Sequence, residues 1–186
     1  MPSDPTFTTP DYAGPFRRNA EQLLMPLAGR PLRYLEIGVL EGRSAIWMLE
    51  HVLTHPQSRY VGIDCYVQSK QRAGQLFATA RTNLRRYGRK AELHNARSVD
   101  VLPRLARQRE LFDVIYIDGD HTAFGVGLDT MLSWPLLRDG GLLAFDDMRH
   151  PKYKSLRRMV HALRREVPHE VLLSNEQLWL RKLADS

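Results

Sequence analysis

Two spacings of apolar residues alternate along the chain, one typical of buried strands and the other of amphipathic helices. Short, β-branched apolar runs predict strands, and longer segments with apolar residues three and four positions apart predict helices. The predicted strands cover residues 32–37, 60–64, 91–94, 112–117 and 142–145, and the helices between and after them cover 44–53, 68–87, 99–107 and 124–137. Repeated strand–helix units favour a parallel sheet that is covered by helices on both faces.

The two ends of the chain follow a different pattern. Residues 1–14 are rich in proline and predict an irregular arm, and residues 16–27 predict a short helix. Near the other end, a basic helix over 152–165 precedes two short strands, 169–173 and 177–181, which predict an antiparallel hairpin at one edge of the sheet. We therefore expect one α/β domain spanning all 186 residues, with a Rossmann-like, doubly wound, mostly parallel seven-stranded sheet that closes with this hairpin.

The composition is that of a soluble globular protein, with 43% apolar and 26% charged residues. No apolar run approaches the roughly 20 residues that a membrane-spanning helix needs. Cys65 is the one cysteine, so an internal disulfide is excluded, and a reducing cytoplasm suits the chain. The polar first residues lack the basic-then-apolar order of a signal peptide. We expect a cytoplasmic protein with no membrane segment.

The net charge of +6 comes mainly from arginines, many of them in residues 81–90 and 152–165. In 152–165 the apolar residues recur at helical spacing and the arginines fall mostly on the opposite side. A solvated helix face is the favoured interpretation, because a basic balance alone does not make a nucleic-acid site. Binding to RNA remains the alternative for this segment.

The stretch from Tyr34 to Ser44 reads as a buried strand that ends in an acid, a loop with two glycines, and the start of a helix. Glycines in such a loop let the backbone approach a ligand that a Cβ would keep away. Gly38 and Gly42 are spaced G-x-x-x-G, whereas a pyrophosphate-binding loop usually reads G-x-G-x-x-G. Glu36 suits a ligand with a positive amine, such as the methionine end of S-adenosylmethionine.

Acids stand at the ends of four predicted strands. These acids are expected to converge, because ligands of open α/β sheets bind at the carboxyl ends of the strands. Asp64 comes 26 residues after Gly38, near the place where a Rossmann-type site puts an acid on the ribose hydroxyls. A turn-forming aspartate is the plainer alternative. The four strand ends carry Glu36, Asp64, Asp118 and the pair Asp146–Asp147.

Asp118, Asp146 and Asp147 come together if the fourth and fifth strands are neighbours. Negative charges at such short distances repel one another unless a cation lies between them. A ligand set made only of oxygen atoms favours Mg²⁺ or a similar divalent ion. Helix capping is the alternative role for one or two of them. His121, three residues after Asp118, is placed to take a proton from a substrate hydroxyl near neutral pH, or else is a loop histidine that bonds the backbone.

With these motifs the chain resembles class I S-adenosylmethionine-dependent methyltransferases. The resemblance is closest to a small bacterial family related to catechol-type and macrolide-sugar O-methyltransferases, whose members read LEIG…EGRS, then GID, then IDGDH, then GG…FDD. It covers residues 33–147, and the residues from Ser174 to Lys182 resemble the closing hairpin of that family. It implies S-adenosylmethionine as the cofactor and a divalent cation, Mg²⁺ or similar.

The resemblance also implies roles for single residues. The cation-binding positions of catechol-type enzymes match Asp118, Asp146 and Asp147, and His121 stands where those enzymes often carry a catalytic lysine. Asp64 matches the ribose-binding acid, and Ser98 the position against the adenine. The positions that would contact the cofactor are Glu36, Gly38, Gly42, Ser44, Asp64, Cys65, Tyr66, Ser98 and Asp118.

Two departures bear on the function. Catechol-type enzymes usually have asparagine in place of Asp147, so this site would carry more negative charge. Little sequence precedes the first strand, so the acceptor would be recognised by residues 1–30, by the loop at 148–153, or by a partner subunit, for example in a homodimer. The sequence favours metal-assisted O-methylation of a small hydroxylated molecule. The alternatives are an RNA-directed methyltransferase and an NAD-type oxidoreductase, which the missing G-x-G-x-x-G disfavours.

Overall fold

A computed structural model of the protein describes residues 4–66 and 72–184 and contains a seven-stranded sheet. The strands are β1 (Arg33–Ile37), β2 (Arg59–Asp64), β3 (Ala91–Asn95), β4 (Phe112–Ile117), β5 (Leu137–Phe145), β6 (His169–Ser174) and β7 (Leu178–Lys182). Their order across the sheet is β3-β2-β1-β4-β5-β7-β6. The first five strands pair in parallel, and β7 lies antiparallel between β5 and β6. The predicted Rossmann-like sheet with its antiparallel C-terminal hairpin is confirmed.

Helices connect the strands and cover both faces of the sheet. They are α1 (Gly14–Leu24), α2 (Arg43–Trp47), α3 (Ala73–Leu84), α4 (Ser98–Arg107), α5 (Ala123–Ser133) and α6 (Lys154–Leu163). Residues 4–13 contain neither helix nor strand. Within the described ranges, no helix is both long enough and apolar enough to cross a membrane.

Three predicted helix boundaries are wrong by several residues. The helix predicted over 124–137 ends at Ser133, because Pro135 lies in a 3₁₀ turn (Trp134–Leu136) that leads into β5. Strand β5 therefore begins at Leu137, opposite Phe112, five residues before the predicted start. The helix predicted over 44–53 is α-helical only to Trp47 and continues as a π turn to Val52. The helix predicted over 68–87 ends at Leu84, and its predicted start lies outside the described residues.

The two faces of the sheet differ in chemistry, because side chains alternate between them along each strand. One face packs aliphatic residues such as Leu35, Ile63 and Ile117 against α4, α5 and α6. The opposite face, covered by α1 and α2, carries three fully buried tyrosines among its apolar residues, Tyr34, Tyr60 and Tyr116. Two of these tyrosines, Tyr60 and Tyr116, donate their hydroxyls to acids near the carboxyl ends of the strands.

Candidate active site

A cavity of about 780 Å³ opens at the carboxyl edge of the parallel strands, between the loops that follow them and the N-terminal residues. Of the twelve residues that the sequence predicts for the site, seven line this cavity: Gly38, Ser44, Asp64, Asp118, His121, Asp146 and Asp147. The other five, Glu36, Gly42, Cys65, Tyr66 and Ser98, lie around it without lining it. The structure thus brings residues from the ends of β1, β2, β4 and β5 to one place.

The loop after β1 is held in shape by its two glycines, for different reasons. Gly38 has a φ of +93°, and a Cβ there would lie 2.0 Å from the carbonyl oxygen of Asp118. This glycine therefore lets the β1 loop pack on the end of β4. Gly42 also has a positive φ, of +86°, but a Cβ there would be 3.6 Å from Leu84, which leaves room for it. Only the backbone conformation favours glycine at position 42.

Glu36 is fully buried beneath this loop. One carboxylate oxygen accepts a hydrogen bond from the Ser44 hydroxyl at the start of α2, and the other accepts one from the Tyr60 hydroxyl at 2.5 Å. Burial raises the pKa of Glu36 from its ordinary 4.5 to about 7, although both hydrogen bonds act in the opposite direction. Its contacts fasten β1, β2 and α2 together.

Asp64, at the end of β2, holds the same loop from the side. Its Oδ2 accepts from the amides of Val39 and Leu40, each at 2.9 Å, and its Oδ1 accepts from the amide of Tyr66 at 2.7 Å. Leu40 and Tyr66 both have a positive φ, near +50°, which is unusual for residues other than glycine. Cys65, between Asp64 and Tyr66, is half-buried. Such backbone strain is found mainly at functional sites.

Ser98 lies at the start of α4, and its hydroxyl donates to Asp129 of α5. Burial raises the pKa of Asp129 to about 6, and the Ser98 hydrogen bond opposes that shift. Asp129 was not among the residues predicted from the sequence. The available signal was that Asp129 is the one charged residue of α5.

Asp118, His121 and Asp147 form the polar centre of the cavity. The Nε2 atom of His121 is 2.6 Å from Oδ2 of Asp147 and 3.7 Å from Oδ1 of Asp118. Nδ1 is 2.8 Å from the carbonyl oxygen of Gly119, which fixes the proton on Nδ1 in the neutral ring. One ligand atom from each of the three residues lies within 4.8 Å of the others, a spacing that could hold a metal ion.

The pKa values of Asp118 and His121 are both raised. Burial and then the negative charges of Asp146 and Asp147 raise the pKa of Asp118. Burial alone would lower the pKa of His121, but the hydrogen bond and charge of Asp147 outweigh it and raise that pKa. The excess of carboxylates over cations at one point is the arrangement that a bound cation relieves.

Both carboxylate oxygens of Asp146 are hydrogen-bonded to groups outside that centre or to its backbone. Oδ2 accepts from the Tyr116 hydroxyl, and Oδ1 accepts from the amide of Asp147 at 2.7 Å. Asp147 has a φ of +57°. The spatial group of Asp118, His121 and Asp147 therefore differs by one residue from the three carboxylates predicted as cation ligands.

The N-terminal residues contribute a wall whose contacts the sequence did not reveal. The Glu41 carboxylate, 1% exposed, accepts from the amides and hydroxyls of Thr8 and Thr9 at 2.6–3.1 Å. Arg43 donates to the Thr9 carbonyl at 2.8 Å and lies 3.8 Å from the centre of the Phe7 ring. The next residues, Thr9 to Ala13, then pass along the cavity. No motif in 1–14 could predict this, because the anchoring groups are common polar residues far away in sequence.

The opposite wall is formed by the loop after Asp147. The rings of His121 and Tyr153 are 4.3 Å apart, and so are those of Tyr153 and His150. Arg157 of α6 donates to the carbonyls of Met148 and His150, at 3.3 and 3.1 Å, and so supports this loop. The arm and this aromatic stack therefore both line the cavity.

A model of the methyltransferase domain family matches residues 35–148, which is more than half of the chain and includes β1 through the residues after β5. The chain belongs to this family. The predicted resemblance to class I S-adenosylmethionine-dependent methyltransferases is confirmed. Among curated protein sequences, none matches the chain significantly.

Solved methyltransferase structures share the fold at low sequence identity. An O-methyltransferase from Bacillus cereus, in complex with SAH, is 21% identical, with a TM-score of 0.70 over 92% of this chain and 83% of that one. CalS11, a TDP-rhamnose 3′-O-methyltransferase of calicheamicin biosynthesis, is 19% identical, with a TM-score of 0.62 over 88% of this chain and 77% of that one. MycE from the mycinamycin pathway, in complex with Mg and SAH, is 16% identical, with a TM-score of 0.63 over 95% of this chain and 52% of that one.

Proposed function

We propose that this methyltransferase transfers the methyl group of S-adenosylmethionine to a hydroxyl of a small molecule, with the help of a divalent cation. The observation that carries the proposal is one cavity lined by two different groups of polar residues. These are the loop of Gly38 and Asp64, and the cluster of Asp118, His121 and Asp147. Such a division suits a reaction that aligns a cofactor with an acceptor hydroxyl.

The cofactor would bind along the loop after β1. Gly38, Ser44 and Asp64 line the cavity there, and Asp64 fixes the amides of Val39 and Leu40. Asp64 would contact the ribose hydroxyls, with Cys65, Tyr66 and Ser98 beside the adenosine. The B. cereus O-methyltransferase, which shares this fold, was solved with SAH, which supports the assignment. Glu36 would act from below by holding Ser44 and the start of α2 in place.

The donor groups present fit a hard divalent cation. Two carboxylates, Asp118 and Asp147, with further positions left for substrate oxygens, are what Mg²⁺ uses in many enzymes. Asp146 as a third ligand remains a prediction. MycE, which has this fold, was solved with Mg. When bound, S-adenosylmethionine would supply a reactive methyl group, and the cation would lower the pKa of the acceptor hydroxyl.

His121 would take up the proton of that hydroxyl. Nδ1 donates to the Gly119 carbonyl, so Nε2 is the nitrogen that would accept this proton. Asp147, 2.6 Å away, holds a proton on Nε2, so His121 would act as a base once the Asp147 carboxylate is engaged by the cation instead. Asp147 beside Nε2 would stabilise the imidazolium that forms. The hydroxyl, the proton acceptor and the carboxylates that orient them would then lie within one small volume.

The test is a methyl-transfer assay with labelled S-adenosylmethionine and a panel of hydroxylated acceptors, including catechols and sugars. We expect label in a methyl ether and about a 100-fold loss of turnover at neutral pH in His121→Ala, since general bases contribute roughly that much. Activity should partly return at higher pH, where the acceptor hydroxyl ionises without a base. His169→Ala, in β6, is the matched control. Label on an amine, or full activity of His121→Ala, would contradict the proposal.

A further inference from the structure

A chain of buried polar side chains connects α1 to the acids of the cavity. Asn19 donates to Gln177 at 2.8 Å, Gln177 donates to the Tyr116 hydroxyl oxygen at 3.0 Å, and Tyr116 donates to Asp146. Asn19, Gln177 and Tyr116 are at most 4% exposed. The predicted site does not include these three residues, although Tyr116 lines the cavity and is the partner of Glu36 between β1 and β4. Buried networks of this kind are stable only when each member is satisfied.

Trp179 fixes the donor-to-acceptor direction of these hydrogen bonds. An indole nitrogen can only donate, and that of Trp179 lies 2.9 Å from Oε1 of Gln177. The carboxamide oxygen of Gln177 must therefore face Trp179 and Asn19, and its NH₂ group must face Tyr116. Because the Tyr116 oxygen accepts from Gln177, its own proton is directed to Oδ2 of Asp146. The network thus delivers a donor to that carboxylate and cannot reverse without leaving a buried group unpaired.

Asp146, whose orientation is fixed in this way, in turn restrains Asp147. Its Oδ1 accepts from the amide of Asp147 at 2.7 Å, and Asp147 has a left-handed φ of +57°. In that conformation, Oδ2 of Asp147 is 2.6 Å from Nε2 of His121. A left-handed aspartate is sustained only when its surroundings determine it. The orientation of Asp146 therefore sets where Asp147 meets the imidazole.

We propose that Tyr116 and Gln177 are positioning residues for the methyl-transfer site. They orient Asp146, which holds Asp147 against His121, so the first role of Asp146 is to support its neighbour. This inference rests on the proposed function for its catalytic consequence, but the geometry that it describes exists in the protein alone. Removing the Tyr116 hydroxyl should therefore loosen Asp147 and His121 even without cofactor or acceptor.

The chain offers a matched control for that experiment. Tyr34 lies in β1, is fully buried on the same face of the sheet, and has a hydroxyl with no hydrogen-bond partner among the described residues. Tyr34→Phe and Tyr116→Phe thus make the same chemical change at the same depth. Only the second removes a donor from the network. Gln177→Met, which keeps the side-chain length, tests the next member and serves if Tyr116→Phe does not fold.

The first readout is the long-range ¹H–¹⁵N spectrum of the histidine rings at one pH, with the His121 signals identified by their loss in His121→Ala. We expect shifted or broadened His121 signals in Tyr116→Phe and Gln177→Met, and wild-type signals in Tyr34→Phe. The second readout is kinetic: kcat should fall about 10- to 100-fold in the first two variants, as for other groups that orient active-site residues. The affinity for S-adenosylhomocysteine should stay within about twofold, since the network does not reach Asp64.

Unchanged His121 signals in both network variants would overturn the inference, and so would equal changes in Tyr34→Phe and Tyr116→Phe. The failure of the proposed function has a different signature. If wild-type protein binds no S-adenosylhomocysteine and methylates no hydroxyl, that proposal fails, while the histidine spectra still decide whether Tyr116 positions His121.

Discussion

Glu36 is the next-to-last residue of β1, and Asp146 follows β5. In each case a buried tyrosine from the neighbouring strand donates its hydroxyl to the carboxylate. Beyond that similarity they differ. Glu36 is completely enclosed, and its second oxygen is taken by Ser44, so every contact it makes is internal. Asp146 lines the cavity and bonds the amide of Asp147, which in turn reaches His121.

Glu36 and Asp146 illustrate two roles of the acids near strand ends in this fold, one structural and one at the polar centre of the cavity. On the cofactor side (Glu36, Gly38, Ser44 and Asp64), the carboxylates mainly hold the loop after β1 in shape. On the acceptor side (Asp118, His121, Asp146 and Asp147), they gather negative charge around an imidazole. We therefore expect damage to one side to leave the chemistry of the other largely intact.

The largest effect is expected at Gly38, where the two sides touch. A Cβ at this position would lie 2.0 Å from the carbonyl oxygen of Asp118, so Gly38→Val should destabilise the whole domain by about 4 kcal/mol or more. The glycine pattern alone suggested a clash with the ligand; the structure corrects this to a clash with backbone. Urea unfolding measures it, with Gly42→Ala as the control, expected to lose only about 1–2 kcal/mol. Equal losses would show that no such contact exists.

The next largest effect is expected from removing the cation. Excess chelator should reduce turnover about 100-fold or more, and Mg²⁺ should restore it, since such ions contribute several kcal/mol to the transition state. Asp118→Asn should mimic chelation. The affinity for S-adenosylhomocysteine, measured by calorimetry, should change little in chelator, because Asp64 and the β1 loop are separate from this cluster. Full activity in chelator would leave His121 as a metal-free base.

Glu36 predicts a pH effect on stability, in the same direction as the effect expected from the raised pKa values of Asp118 and Asp146. The folded protein keeps a proton on Glu36 up to about pH 7, whereas the unfolded chain releases it near pH 4.5. Between those values the folded state binds more protons, so this group's contribution to stability falls as the pH rises, by roughly 3 kcal/mol in total.

Glu36→Gln should remove that dependence. Its unfolding free energy, relative to wild type, should therefore increase between pH 5 and pH 8. Urea titrations at both pH values measure it, with Glu21→Gln on the exposed side of α1 as the control. A constant difference between Glu36→Gln and wild type would mean that Glu36 is ionised throughout.

Asp64 should give the smallest of these effects and the one most confined to the cofactor. Asp64→Ala should weaken binding of S-adenosylhomocysteine about 10- to 100-fold, because hydrogen bonds to a charged group contribute roughly 1.5–3 kcal/mol each and water restores part of that. Asp64→Asn should lose less, since its amide oxygen can still accept from Val39 or Leu40. Unchanged affinity in Asp64→Ala would remove this residue from the site.

The sheet was predictable because its signals are local. Each strand is a short apolar run, and the acids at the ends of β1, β2, β4 and β5 mark the edge where chemistry occurs. The boundaries of α2 and β5 were less predictable. A π turn after Trp47 and a strand that starts at Leu137 depend on pairing partners and on the turn at Pro135, which periodicity does not report.

The site residues were predictable as a set but not in their contacts. Motif spacing brought Asp118, His121 and Asp147 to one loop cluster, yet it could not tell that Asp146 bonds Tyr116. The Gln177 and Asn19 network and the Thr8–Glu41 contacts join positions far apart in sequence, through residue types that are common everywhere. Only the packing of the chain identifies such partners.

The central claim is that the loop after β1 and Asp64 form a binding site for S-adenosylmethionine. Calorimetry with S-adenosylhomocysteine and with NAD tests this claim most directly. The account predicts one saturable site for S-adenosylhomocysteine on wild-type protein, weakened in Asp64→Ala and unaffected by chelator, and no comparable binding of NAD. Binding of NAD without binding of S-adenosylhomocysteine would contradict it.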